Sequence, residues 1–331
     1  MTYDAADAAE QERIFLAYGD LLNSFDTSDD IQITLHNNVI NQKEFSSQIL
    51  LKHAGDGFDE YRDEYNEMLL DKMQQGQNGI TTKKYFTVTV TAATLELAQQ
   101  KLAAKELYMR SCFQKIGSNI EKLKANERIR IIADIFRGVN QEIRPISSSE
   151  FLRGAEKSLC CPDYFEFKKD YFMYNDKFAR MVYLKHLPSS LVDDMLKDLC
   201  ETSLPIVVTV NIAPVEPSEA IKVVKRQLTA MRSNKMQKEK KASQHGVYSD
   251  VISDDLKQSL AEAEELLNDL QSKNQKMFLL NLVVMVTGTS FDELDNNTDK
   301  IEAVFRKHVC TTSRANFQQE DAMASCLPLG N

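Results

Sequence analysis

The chain has 331 residues, 43% hydrophobic and 27% charged, with a formal net charge of −9. It is long enough to bury one large or two ordinary cores, and its acidic balance excludes non-specific nucleic-acid binding as the main role. No run of about 18 apolar residues is present to span a membrane, and Met1-Thr2-Tyr3-Asp4 has neither the basic nor the apolar part of a signal peptide.

Glu10 to Ser24 predicts an amphipathic helix with Ile14, Leu16, Ala17, Leu21 and Leu22 on one face. Ile31, Ile33 and Leu35 alternate with polar residues, as in a half-buried strand. Asp59 to Gln75 predicts a helix with Tyr61, Tyr65, Met68, Leu69 and Met73 inward, broken by Gly76-Gln77-Asn78-Gly79. Tyr85 to Thr91 alternates as a strand. Thr94 is expected to cap a helix to about Lys115, and Asn126 another to Arg137. Gly138 to Pro162 is the weakest stretch, which places a linker at 141–162 between a first half, 1–140, and a second, 163–331.

The second half opens with short strands near Tyr164 to Phe167 and Ala179 to Leu184, a helix Ser190 to Cys200 and a strand Leu204 to Ile212. Then comes the most informative block, a helical hairpin at 217–275. Pro217-Ser218 opens a basic helix closed by Gly246, and an acidic helix runs back from Ser253 to about Lys273. Ile221, Val224, Leu228 and Met231 form a heptad-like seam, matched by Leu256, Leu260, Ala263, Leu267 and Leu270. Antiparallel pairing sets Met231 near Leu267 and Val224 near Leu270. Beyond Met231 the seam turns polar at Lys235 and Lys238, so the base is expected to be packed and the tip solvated. Sorted charge between the two helices has two readings: mutual neutralisation, favoured by the built-in acidic complement, or a basic tip that meets an acidic surface. Lys235, Lys238, Lys240 and Lys241 are the candidate protein-contact residues. Strand Met277 to Val286, helix Ser290 to His308 and a short strand Val309 to Thr312 follow.

A faint repeat links Lys84-Tyr85-Phe86, Thr94-Leu95-Glu96-Leu97 and a strand after Gly117 to Lys276-Met277-Phe278, Ser290 to Leu294 and Val309. The expected fold is therefore α+β: two related halves, each a sheet with helices on one face, the second bearing the projecting hairpin.

No catalytic motif is legible. GxxxxGK[ST] is absent, and Gly55-Asp56-Gly57 lacks the third glycine of a dinucleotide loop. The apolar run Leu282 to Val286 ends on Thr287, where an ATPase strand would carry a carboxylate. No GxSxG or HExxH occurs. The six cysteines form no CxxC and the five histidines are scattered, which points to reduced thiols inside a cell and no metal site.

Several strings resemble the N-terminal half of conjugal-transfer ATPases of type IV secretion, the TrbE-like or VirB-type group. They are Leu21-Leu22-Asn23-Ser24-Phe25-Asp26; Arg62-Asp63-Glu64-Tyr65 with Met68-Leu69; Asn78-Gly79 with Lys84-Tyr85; Glu219-Ala220-Ile221-Lys222 with Val224-Lys225-Arg226; Asp269 to Asn274 with Lys276 to Leu280; Gln318-Gln319-Glu320; and Leu327-Pro328-Leu329-Gly330. The resemblance implies an assembly and interaction domain, cytoplasmic and peripheral at the inner face of the membrane, truncated or split before the hexameric motor. It implies channel proteins, neighbouring subunits and the motor half as partners. ATP and magnesium belong to that motor; no cofactor or nucleotide-binding residue is carried over to this chain, and no activity is expected of it alone. The alternative is a stand-alone α+β adaptor that binds a soluble protein through its hairpin.

Overall fold

A computed structural model describes residues 3, 6–39, 49–74, 80–138, 147, 156–188, 191, 194–244, 254–272 and 275–330. The protein is mixed α+β, with ten helices and eight strands among the described residues. In chain order these are α1 (Ala8–Asn23), β1 (Asp29–Val39), α2 (Asp59–Gln74), β2 (Ile80–Val90), α3 (Leu95–Lys115), α4 (Ala125–Phe136), α5 (Glu156–Cys160), β3 (Phe165–Phe167) and β4 (Phe172–Tyr174). Then follow β5 (Lys177–His186), α6 (Met195–Cys200), β6 (Ile206–Pro214), α7 (Pro217–Gln244), α8 (Asp254–Ser272), β7 (Phe278–Gly288), α9 (Phe291–Lys307), β8 (Thr311–Arg314) and α10 (Gln319–Cys326).

A single sheet runs in the order β2-β1-β6-β7-β5-β4-β3, with β8 also paired to β5. Two separate sheet-plus-helix halves are not what forms, because this one sheet takes strands from both expected halves. The chain packs as two compact units: Met1–Asp30, Val90–Glu121 and Ile212–Leu280 in one; Ile31–Thr89, Lys122–Asn211 and Asn281–Asn331 in the other. Each unit draws on both sides of the expected 141–162 linker. Part of that linker is ordered structure: α5 lies in it, and the Arg137 guanidinium donates to the Cys161 carbonyl at 2.6 and 2.9 Å.

In the first unit, Asp7 caps α1 by accepting from the Glu10 amide at 2.9 Å, and Arg13 donates to the Lys115 carbonyl at the end of α3 at 2.6 Å. Thr94 caps α3 as expected, accepting from the Leu97 amide. Lys105 on α3 reaches the buried Asp29 carboxylate at 2.5 Å and lies 5.1 Å from the centre of the buried Phe25 ring. A buried carboxylate needs such a partner, since desolvation alone would neutralise it.

The second unit covers its part of the sheet on both faces. Ala179 and Met181 of β5 pack in a cluster with Ile129, Ile132, Ala133 and Phe136 of α4, together with Val283, Met285 and Cys326. Strand residues alternate between faces, so Arg180 points the other way, to Asp295 and Thr298 of α9 at 2.6 and 3.2 Å. Helices on one face only, as expected from sequence, would have left this second apolar face wet. Ser290 caps α9 as expected, but α4 begins at Ala125, with the Glu127 carboxylate accepting from the Lys124 amide at 2.5 Å in place of an Asn126 cap. No strand forms after Gly117, where the chain reaches α4 directly. The two proposed repeats thus diverge, α3 joining the first unit and α9 the second.

Strand β1 is more buried than its alternation implies. Gln32, Thr34, His36, Asn37 and Asn38 are all buried with Ile31 and Leu35. For Gln32, Thr34 and Asn37 their partners explain this, whereas His36 Nδ1 and Asn38 Nδ2 are buried with no hydrogen-bond partner among the described residues. The Gln32 and Asn211 amides donate to the Ser325 carbonyl at 3.0 and 3.1 Å, and the Thr209 hydroxyl donates to the Cys326 carbonyl at 2.6 Å. A helix leaves its last carbonyls without intrahelical partners, and the polar face of the sheet supplies them for α10. Asn37 donates to the Cys200 carbonyl at 2.6 Å and accepts from the Thr82 hydroxyl at 2.7 Å.

Helix α2 forms where expected, but its apolar face is not inward. Tyr61, Tyr65 and Met68 are exposed and only Leu69 is partly covered; the side chain of Met73 and the break at Gly76 to Gly79 lie outside the described residues.

Candidate functional site

The hairpin of α7 and α8 belongs to the first unit and is built from its base outward. Pro217 stands at the first helical position of α7, where a missing N–H is harmless. The cap is Glu216, ahead of the expected Pro217-Ser218: its carboxylate accepts from the Glu219 amide at 3.0 Å and from the Ser218 hydroxyl. These bonds hold its pKa below the usual carboxylate value. Val215 donates to the Met277 carbonyl at 2.8 Å, which fastens the entry of α7 to the exit of the hairpin. Lys276 donates to the Phe25 carbonyl at 2.6 Å.

The seam draws on the residues of the heptad pattern other than Ile221. Val224, Leu228 and Leu260 are its buried centre, with Met231, Leu256, Ala263, Leu267 and Leu270 packed around them. Leu267 is only half-buried, so Leu228 is the sharper probe of the seam. Leu228→Ala is expected to lose about 2–4 kcal/mol in urea melts, the usual range for a buried leucine. Lys238→Ala is expected to stay within about 0.5 kcal/mol of the parent.

Beyond Met231 the surface opens. Met236 is 68% exposed, Lys238 and Lys240 are exposed and Lys235 is partly covered. The side chain of Lys241 and the turn at Gly246 to Ser253 lie outside the described residues. One cross-helix ion pair appears among the described residues, Arg232 to Glu264 at 2.7 Å, and Lys222 pairs within its own helix with Glu219. Lys225, Arg226, Lys235, Lys238 and Lys240 have no ion-pair partner among the described residues. Among the described residues, neutralisation of α7 by α8 is therefore partial. Lys225, Thr229 and Arg232 face Glu264, Leu267 and Gln271 across an open cleft of about 390 Å³.

Burial pushes the Cys326 thiol up to about 12, and it raises Cys200 and Cys310 as well, opposite to what a nucleophilic thiolate needs. His308 Nε2 meets Asp198 Oδ2 at 2.6 Å, but the Cys310 thiol donates to the His308 carbonyl and not to its ring. No cluster of three His, Cys, Asp or Glu side chains suited to a metal occurs among the described residues. Gly55-Asp56-Gly57 is a turn ahead of α2, with both glycines at positive φ and Asp56 held by Arg62 at 2.5 Å. No helix among the described residues is long and apolar enough to cross a membrane. The residues that sequence reasoning missed are on α2, whose exposed aromatic stripe reads in sequence like an ordinary buried face.

No protein-family model matches this chain, and no curated protein matches it.

Proposed function

We propose that the chain is the N-terminal assembly and interaction domain of a type IV secretion ATPase of the TrbE-like or VirB-type group, working without nucleotide chemistry of its own. The observation that carries the interaction role is the hairpin: a packed base anchored to the first unit, and an outer half in which Lys235, Lys238 and Lys240 of α7 have no ion-pair partner among the described residues. The ordered resemblance of strings from Leu21 to Gly330 supports the family reading. On it, the chain sits peripherally at the cytoplasmic face of the membrane and docks channel proteins, neighbouring subunits or the motor half. The stand-alone adaptor uses the same hairpin on a soluble partner.

A contact made by rim lysines tunes encounter rate and weakens with salt. Pull-down with a cytoplasmic segment of a channel protein, or with the motor half supplied in trans, is expected to succeed at low salt and fade as salt rises. Duplex DNA is expected to bind little at physiological salt. Changing Lys235, Lys238, Lys240 and Lys241 together to Glu should weaken capture without lowering the melting temperature. Capture of neither probe would remove the secretion reading, and capture indifferent to the four changes would move the contact off the hairpin tip.

A further inference from the structure

The apolar face of α2 is presented to solvent in an ordered way. Phe58, Tyr61, Tyr65 and Met68 are 62, 67, 47 and 40% exposed and follow one another at helical steps of three and four. Beside them run Glu60, Glu64, Glu67 and Asp71 at steps of four, three and four, all exposed and without an ion-pair partner among the described residues. The segment ahead of α2 is clamped to it. Asn66 exchanges two hydrogen bonds with the backbone of Leu51 at 2.8 and 2.9 Å, and Arg62 holds both Asp56 and Asp59. A 16-residue helix is marginal in water without such support. The result is a preorganised stripe of aromatic anchors edged with negative charge, the composition of an interface core with one charged rim.

We propose that α2 docks along the cleft-lining face of α7 on a second copy of this chain. This rests on the reading of the hairpin as a docking element and names one partner for it. The complement is present in the same sequence: α7 has eight basic and two acidic residues, α2 six acidic and two basic. On α7, Lys225, Thr229, Arg232 and Met236 recur at steps of four, three and four, the spacing of the acidic stripe, and each stripe is ~16 Å long at helical rise. Met236 is an exposed apolar side chain on this basic face, and half-buried Leu267 lines the adjoining cleft. Laid there, α2 makes a third helix beside α7 and α8, with Tyr65 and Met68 over Met236 and Leu267 and the acidic stripe toward Lys225. The two faces differ, so every copy carries one of each, and the contact is head-to-tail.

Sedimentation velocity of the full chain over a range of concentrations tests this. The parent's mass should rise with concentration and fall with added salt. Tyr61→Glu with Tyr65→Glu removes the α2 face, and Lys225→Glu with Met236→Glu removes the α7 face; all four positions are exposed, so circular dichroism melts should match the parent. Each double variant alone should associate about tenfold more weakly or less still, a loss of one or more anchoring contacts. Mixed one to one, the two variants should give a dimer that grows no further, because only one intact pair of faces remains. A parent that is monomeric at every concentration overturns the proposal, as does unchanged association in either variant or a mixture that stays monomeric. Failure here with capture by the tip lysines intact leaves the wider docking role standing; loss of that capture alone leaves this self-contact standing.

Discussion

Arg180→Ala should be among the most destabilising single changes in the protein, lowering unfolding free energy by about 3 kcal/mol or more, within the range for breaking a buried pair. The Arg180 side chain is 1% exposed. Its guanidinium donates to Asp295 Oδ1 at 2.6 Å, Thr298 Oγ1 at 3.2 Å and the Asp170 carbonyl at 3.0 Å, and it sits 5.7 Å from the centre of the Phe291 ring. Truncation removes these bonds and opens a cavity between β5 and α9. Arg180→Lys keeps the charge but loses the fork that serves three acceptors at once, so a loss of about 1–2 kcal/mol is expected. Asp295 is 44% exposed, and Asp295→Asn should change stability by less than about 1 kcal/mol because water already screens that partner. Urea melts of the three variants supply the comparison. Equal losses for Arg180→Ala and Asp295→Asn would show that the arginine acts only through that one pair.

Acid should weaken the fold through His36 before most carboxylates titrate. Burial, with a smaller effect of nearby Lys83, pushes its imidazole down to about 4 from an ordinary value near 6.5. The unfolded chain then binds a proton that the folded chain refuses. Stability is full above about pH 6.5 and falls as pH drops toward 4, by about 3 kcal/mol, since each tenfold difference in proton affinity between the two states is worth about 1.4 kcal/mol. Asp198 and Glu216, held acidic by hydrogen bonds, add losses in the same direction at lower pH. His36→Gln separates the effects: its stability should vary less with pH between 6.5 and 4, while the lower-pH decline remains. Ring resonances of His36 that titrate near pH 6.5 in the folded protein would refute the assignment.

The sequence disclosed most elements whose signals are local. Thr94 and Ser290 cap their helices where a hydroxyl precedes an apolar periodic run, and the hairpin seam follows from its heptads. What escaped depends on neighbours distant in the chain. Strand β4 is three residues long, too short for a period, and α10 has no strong apolar face of its own. The buried polar side of β1 reads as solvent-facing until the carbonyls of α10 are brought to it. Tyr61, Tyr65 and Met68 fail in the opposite sense: helical spacing shows that residues share a face, not what covers it. At the hairpin, the tip lysines were legible as a break in the seam. That Lys235, Lys238 and Lys240 meet no ion-pair partner among the described residues required the side-chain positions.

The bonds from Gln32, Thr209 and Asn211 to the end of α10 also set an order of events during synthesis. Gln32 and Ser325 are 293 residues apart in sequence, so the ribosome must make that whole stretch before the strand's polar face can be satisfied. Until then Gln32, Thr34 and Thr209 must remain hydrated, because burying them unpaired is costly. That side of the sheet therefore stays open in the nascent chain while the hairpin, whose helices are adjacent in sequence, can already close. Contacts of such wide separation form late and slowly. The last turn of α10 thus closes this face of the sheet, and a chaperone that shields a wet, half-covered sheet has its window just before that turn emerges.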